Sequence, residues 1–179
     1  MKRIIISLAA GLSGGIAIGF ALGIFIYPYW FLNDIAAEAL SASERRTKIA
    51  AGEFIHANPS DPIHWGKGGV TIYRNDSGRI ILHLEKTFQV GPGPRFHVYL
   101  ADAADIKSNE HFEMSGTVDL GRLRAFQGSQ VYEAPVGTEI GDYRSVVIWC
   151  KEFGVLISPA TLASASADKT HRPGRALRG

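Results

Sequence analysis

The sequence predicts an all-β domain, an antiparallel sandwich or barrel-like body of about eight strands, preceded by one membrane-crossing helix. Three observations carry this. The chain opens with an uncharged apolar run from Ile4 to Leu32. From about Gly52 to Leu162, short apolar runs alternate with clusters of Gly, Pro, Asn and Asp, the spacing of antiparallel β domains. No run in that region has the period of a long amphipathic helix.

Residues 1–3 carry Lys2 and Arg3, which favour a cytoplasmic start. The apolar run that follows spans about 29 residues, more than the ~20 needed to cross a bilayer and longer than the ~7–15 of a signal-peptide core. Tyr27, Tyr29 and Trp30 close it with boundary aromatics. A single-pass anchor with the globular part on the periplasmic or extracellular side follows. Arg45, Arg46 and Lys48 beyond the run weigh against that orientation, and the small-x-small triplet Ala37–Glu38–Ala39 keeps a cleaved signal peptide open. Gly11, Gly15, Gly19 and Gly23 recur every fourth residue, a face on which helices approach one another closely. Self-association is one reading, and the ordinary glycine content of membrane helices is the other.

Residues 33–51 are polar and alanine-rich and read as a short helical stalk. The β domain then reads in order as GEFIHA, GGVTIYR, RIILHLEKTFQV, FHVYLADA, TVDLGRL, QVYEAP, YRSVVIWCKEF and GVLISPATL. NPSDP, NDSG and GPGP are among the breaks between them. Residues 163–179 are small, polar and basic and read as a disordered tail. In the strand RIILHLEK, Ile80, Leu82 and Leu84 share one face, and His83 and Glu85 the other. In SVVIWC, Val146, Ile148 and Cys150 share one face, and Val147 and Trp149 the other. Both faces are apolar, so this strand is expected to be central and covered on both sides.

Composition narrows the chemistry. A net charge of +2 gives no basic stripe for nucleic acid. One cysteine excludes an internal disulfide, paired-cysteine zinc sites, CxxC redox pairs and covalent haem attachment. His56, His64, His83, His97 and His111 show no metal-ligand spacing such as HxH or HExxH, although the loop NEHFE has a suitable composition. No GxSxG is present, and GPGPRF does not lead from a strand into a helix as a phosphate loop does. Cys150 remains. It is either a small buried hydrophobe or a thiol placed for chemistry near a strand end. Lys151 adjoins it but faces the other way in a regular strand.

The segments VDLGRLRAFQGSQVYEAP and YRSVVIWCKEFGVLISPATL, with GEFIHA, HWGKGGVTIYR and ILHLEKTFQVGPGPRFHVYL before them, resemble the DM-thirteen domain family over residues 52–162. Gly93 and Pro94 stand where the family often has an acidic residue after its Gly-Pro. The resemblance implies a β-sandwich-like extracytoplasmic domain acting in electron transfer, with Cys150 at the family's signature position. Cys150 would act as a bare thiol or as a ligand to a group such as haem. For haem, His64, His83 or His97 would be the second axial ligand. A bare thiol would cycle through a sulfenic acid or a mixed disulfide with a redox partner protein or a small thiol. The alternative is an envelope binding module in which Cys150 only packs.

Overall fold

The computed structural model describes residues 2–31, 35–40 and 46–165. The first element, α1 (Lys2–Phe31), is about 45 Å long at 1.5 Å per residue, enough for a hydrocarbon core of ~30 Å. Ile6, Leu8, Leu12, Ile16 and Phe20 on it are exposed. The stretch Ile6–Ile24 is apolar enough to be a membrane span, a test that a signal sequence also passes. A side chain added at Gly11, Gly15, Gly19 or Gly23 would meet nothing within 4 Å, so these glycines are not required by packing inside the chain.

Two sheets follow. The larger contains β1 (Ala36–Ala37), β2 (Arg46–Phe54), β3 (Gly66–Asn75), β4 (Ile80–Leu84), β5 (Gln89–Val90), β8 (Gly128–Glu133) and β11 (Ala163–Ser164), in the order β1-β8-β4-β3-β2-β11 with β5 beside the start of β3. The smaller contains β6 (Phe96–Ala101), β7 (Thr117–Arg122), β9 (Ser145–Cys150) and β10 (Val155–Thr161), in the order β10-β9-β6-β7. Every pairing is antiparallel except β1 with β8. The sheets stack as a sandwich and do not close into a barrel. Val70, Ile72, Leu82 and Leu84 from one meet Val98, Leu100, Val146 and Ile148 from the other in a shared core. Burying a side chain of this kind is worth roughly 1.5–3 kcal/mol, so the alternation of apolar residues sets which way each strand faces.

The eight strands expected from the sequence are the eight longer ones here, with RIILHLEKTFQV divided into β4 and β5 by a turn in which the Phe88 amide donates to the Glu85 carbonyl. As expected, β9 is central, and a second apolar layer covers its outer face. There Tyr99, Val147, Trp149 and Leu156 pack with Phe112 of the short helix α2 (Asn109–Glu113). This helix occupies the loop NEHFE, begins on a Ser108 cap, and is tied to β10 by Asn109, which accepts from the Leu156 amide at 2.8 Å.

The helical stalk expected over 33–51 is not what the described part of that segment forms. Ala36–Ala37 is strand, and residues from Arg46 onward are strand paired with β3 along their length. Alanine's helix preference amounts to tenths of a kcal/mol per residue. Here it yields to the ladder and to Ile49 and Ala50, which join the core. Glu38 fastens the segment to the sheet, accepting from Arg124 Nε and Nη2 at 2.6 Å each and from the Val131 amide at 2.9 Å. Burial raises the Glu38 pKa, but these hydrogen bonds and the Arg124 charge outweigh it, leaving the carboxyl below its ordinary range. The expected tail opens as β11 paired to β2, and its residues 166–179 lie outside the described residues, as do residue 32 of the apolar run and 33–34 and 41–45 of the stalk.

Candidate functional site

Cys150 is the last residue of β9, on the face that looks into the shared core with Val146 and Ile148. It pairs with Phe96 of β6 on one side and Val155 of β10 on the other. The chain turns back at once through Lys151, Glu152, Phe153 and Gly154. The Gly154 amide donates to the Cys150 carbonyl at 2.9 Å, and Gly154 takes φ +62, a left-handed conformation that glycine adopts without strain. The thiol is free and only 2% exposed.

One side of this hairpin end is a pocket of about 280 Å³ lined by Ile63, His64, Pro92, Gly93, Pro94, Phe96, Cys150, Phe153 and Val155. Two loops build its wall. The Gly91 amide donates to the Trp65 carbonyl at 3.0 Å, joining them. Gly93 lies against the Phe96 ring, where any Cβ would collide with the aromatic carbons. That contact explains a glycine between two prolines. The pocket's lining is apolar except for Cys150 and His64. Ile63 and Phe153 are 49% and 55% exposed and give the pocket an apolar rim.

His64 is held from behind. Its Nδ1 lies 2.6 Å from Asp61 Oδ2, while Asp61 Oδ1 accepts from the amides of Ile63 at 2.9 Å and His64 at 3.1 Å. The His64 hydrogen bond first, then the two amides, hold the Asp61 carboxyl down at about 2. A carboxylate on Nδ1 fixes the ring's tautomer and orientation and leaves Nε2 as the nitrogen for a ligand.

The other two candidate histidines lie elsewhere. His97 pairs across from Trp149, on the outer face of the smaller sheet, with Nδ1 at 2.9 Å from Asp119 Oδ1. Lys151 completes that cluster, donating to Asp119 Oδ2 at 3.1 Å, so it does face away from the thiol. His83 lies on the face of β4 opposite Leu82 and Leu84, 2.7 Å from Ser129 Oγ, and burial lowers its pKa. Neither can share an iron with Cys150. Among the described residues no group of three or more His, Cys, Asp or Glu side chains is placed to hold a metal.

The residues present do not fit an enclosed haem. The pocket lies at the lower edge of the ~300–1,000 Å³ typical of ligand sites. A cavity of about 150 Å³ takes a single benzene, so a tetrapyrrole would not be enclosed here. No lysine or arginine lines it for the propionates. Sequence reasoning did not single out Asp61, Ile63 or Phe153. The signal for Asp61 was present as Asp-x-x-His in a turn, the pattern in which a carboxylate reaches back amides and a ring two and three residues on. Ile63 and Phe153 carried none, because a pocket rim assembled from distant loops has no local pattern.

No curated protein and no solved structure matches the chain. The model of the family described as Electron transfer DM13 matches residues 59–162, which include every residue lining the pocket. That match covers more than half of the 179 residues, and the chain belongs to the DM13 electron transfer family.

Proposed function

We propose that the chain is a membrane-anchored redox module whose working group is the Cys150 thiol, with the β domain on the periplasmic or extracellular side. Membership of an electron transfer family supports the redox role. The observation that carries the cysteine-centred form is that the chain's one thiol lines an apolar pocket together with a histidine already oriented by a carboxylate. Anchoring rests on the length and apolarity of α1, and orientation on Lys2 and Arg3 ahead of it. The glycine face of α1 fits association of two helices. Gly15→Leu and Gly19→Leu are then expected to reduce crosslinked dimer in membranes, and unchanged crosslinking removes that part of the reading.

The chemistry open to a lone thiol is exchange. With glutathione disulfide, the Cys150 sulfur bonds to one glutathione sulfur, the disulfide breaks, and the other glutathione leaves as thiol with the proton. The full chain in lipid nanodiscs, equilibrated across ratios of glutathione disulfide to glutathione, is expected to show one reversible adduct by intact mass. A native chain that forms none, while the unfolded chain does, would return Cys150 to packing. That rival, a binding module with a structural cysteine, is favoured by the 2% exposure of Cys150 and its place in the shared core.

A further inference from the structure

We propose that the pocket beside Cys150 is a binding site for the neutral ring of a quinone. This deepens the redox reading and rests on it. The volume of about 280 Å³ is roughly twice that of an apolar cavity that holds benzene, which suits one substituted six-membered ring.

None of the nine lining residues other than His64 carries an ionisable group except the thiol itself. Nucleotide and flavin carriers bring phosphates, which call for arginine, lysine or a long helix N-terminus. Iron–sulfur clusters call for several thiolates, and the chain has one. A quinone is the redox carrier that asks for an apolar slot and a hydrogen-bonding group for a carbonyl. His64 supplies that group. With Nδ1 on Asp61, Nε2 makes no hydrogen bond among the described residues. A protonated ring donates from it to a quinone carbonyl, and a neutral ring accepts there from a hydroquinone hydroxyl. Ile63 and Phe153 at the rim keep the approach apolar.

The test uses the full chain in lipid nanodiscs and two probes. Dimethoxy-methyl-benzoquinone has one open ring position. The Cys150 sulfur bonds to that carbon, and the thiol proton and the ring-carbon proton end on the two oxygens. The ring becomes a hydroquinone thioether, with no other reactant required. Tetramethylbenzoquinone has no open position and occupies the site without reacting. Adduct formation, followed by intact mass, is expected to saturate with the first probe and to be slowed competitively by the second. His64→Leu is expected to raise the half-saturating concentration about tenfold, the loss of one hydrogen bond to a charged or strongly polar group. A rate linear in quinone and indifferent to tetramethylbenzoquinone overturns the site, and the redox reading stands if the glutathione adduct still forms. If no glutathione adduct forms but tetramethylbenzoquinone still slows amide exchange at 63–65 and 150–155, the redox reading falls and the quinone site stands.

Discussion

Two histidine–aspartate pairs in this domain have nearly the same chemistry and different surroundings. In both, a carboxylate sits on Nδ1, at 2.6 Å in His64–Asp61 and 2.9 Å in His97–Asp119. The first is made within one turn of chain, and its ring lines the pocket with Cys150. The second joins neighbouring strands across β6 and β7, on the sheet face turned away from Cys150, and shares its carboxylate with Lys151. The difference teaches that the pairing motif does not mark a site. What marks it is which face of β9 the ring can reach, and that is decided by strand parity and by where a loop folds over the hairpin end.

The comparison can be broken most severely at Phe96, which pairs with Cys150 and neighbours His97 in sequence. It is buried, stacks edge-on with Phe126, and supports Gly93. Phe96→Ala is expected to cost about 3–5 kcal/mol in chemical denaturation. A cost well under that would mean the pocket wall does not depend on it. A sharper cut comes from the carboxylates. Asp61→Asn frees His64 and is expected to raise the half-saturating concentration of tetramethylbenzoquinone about tenfold. Asp119→Asn is expected to leave it unchanged, and equal effects would erase the distinction. Lys151→Met probes the residue next to the thiol. Its ammonium is engaged with Asp119 on the other face, so exchange at Cys150 is expected to stay within about twofold, as for exposed ion pairs generally.

The smallest effect is in acid. Both carboxyls have folded pKa values below their ordinary range: Asp61 at about 2, chiefly through His64, and Asp119 because hydrogen bonds from His97, the Gly121 amide and Lys151 outweigh the upward push of burial. A depressed folded pKa means the stabilisation is fully present above the unfolded value of ~3.9 and is lost as pH falls through the folded value. Carbon NMR of the side-chain carboxyls is expected to give a midpoint near 2 for Asp61 and one below the ordinary range for Asp119. A midpoint for Asp61 near the ordinary value would mean that His64 is not held.

Much of the fold was legible because burial writes itself as alternation. Val146, Ile148 and Cys150 against Val147 and Trp149 mark both faces of β9 in the sequence itself. Parity likewise put His83 on the polar side of Leu82 and Leu84, and the same logic applied to Phe96, His97 and Val98 would have removed His97 as a partner for Cys150. The strand over residues 46–51 was not legible, because its alanines prefer helix locally and only pairing with β3 decides otherwise. The pocket was not legible either. His64, Pro92, Phe96 and Phe153 converge through turns whose directions depend on contacts such as Gly91 with Trp65.

The most direct test of the cysteine-centred account is the rate at which Cys150 reacts in the native chain with neutral N-ethylmaleimide and with anionic iodoacetate, each compared with the unfolded chain. A thiol at the floor of an apolar pocket is expected to react in the native state and to favour the neutral reagent more strongly than the unfolded chain does. A native thiol inert to both reagents, and released only by unfolding, would contradict the account and leave Cys150 as part of the core.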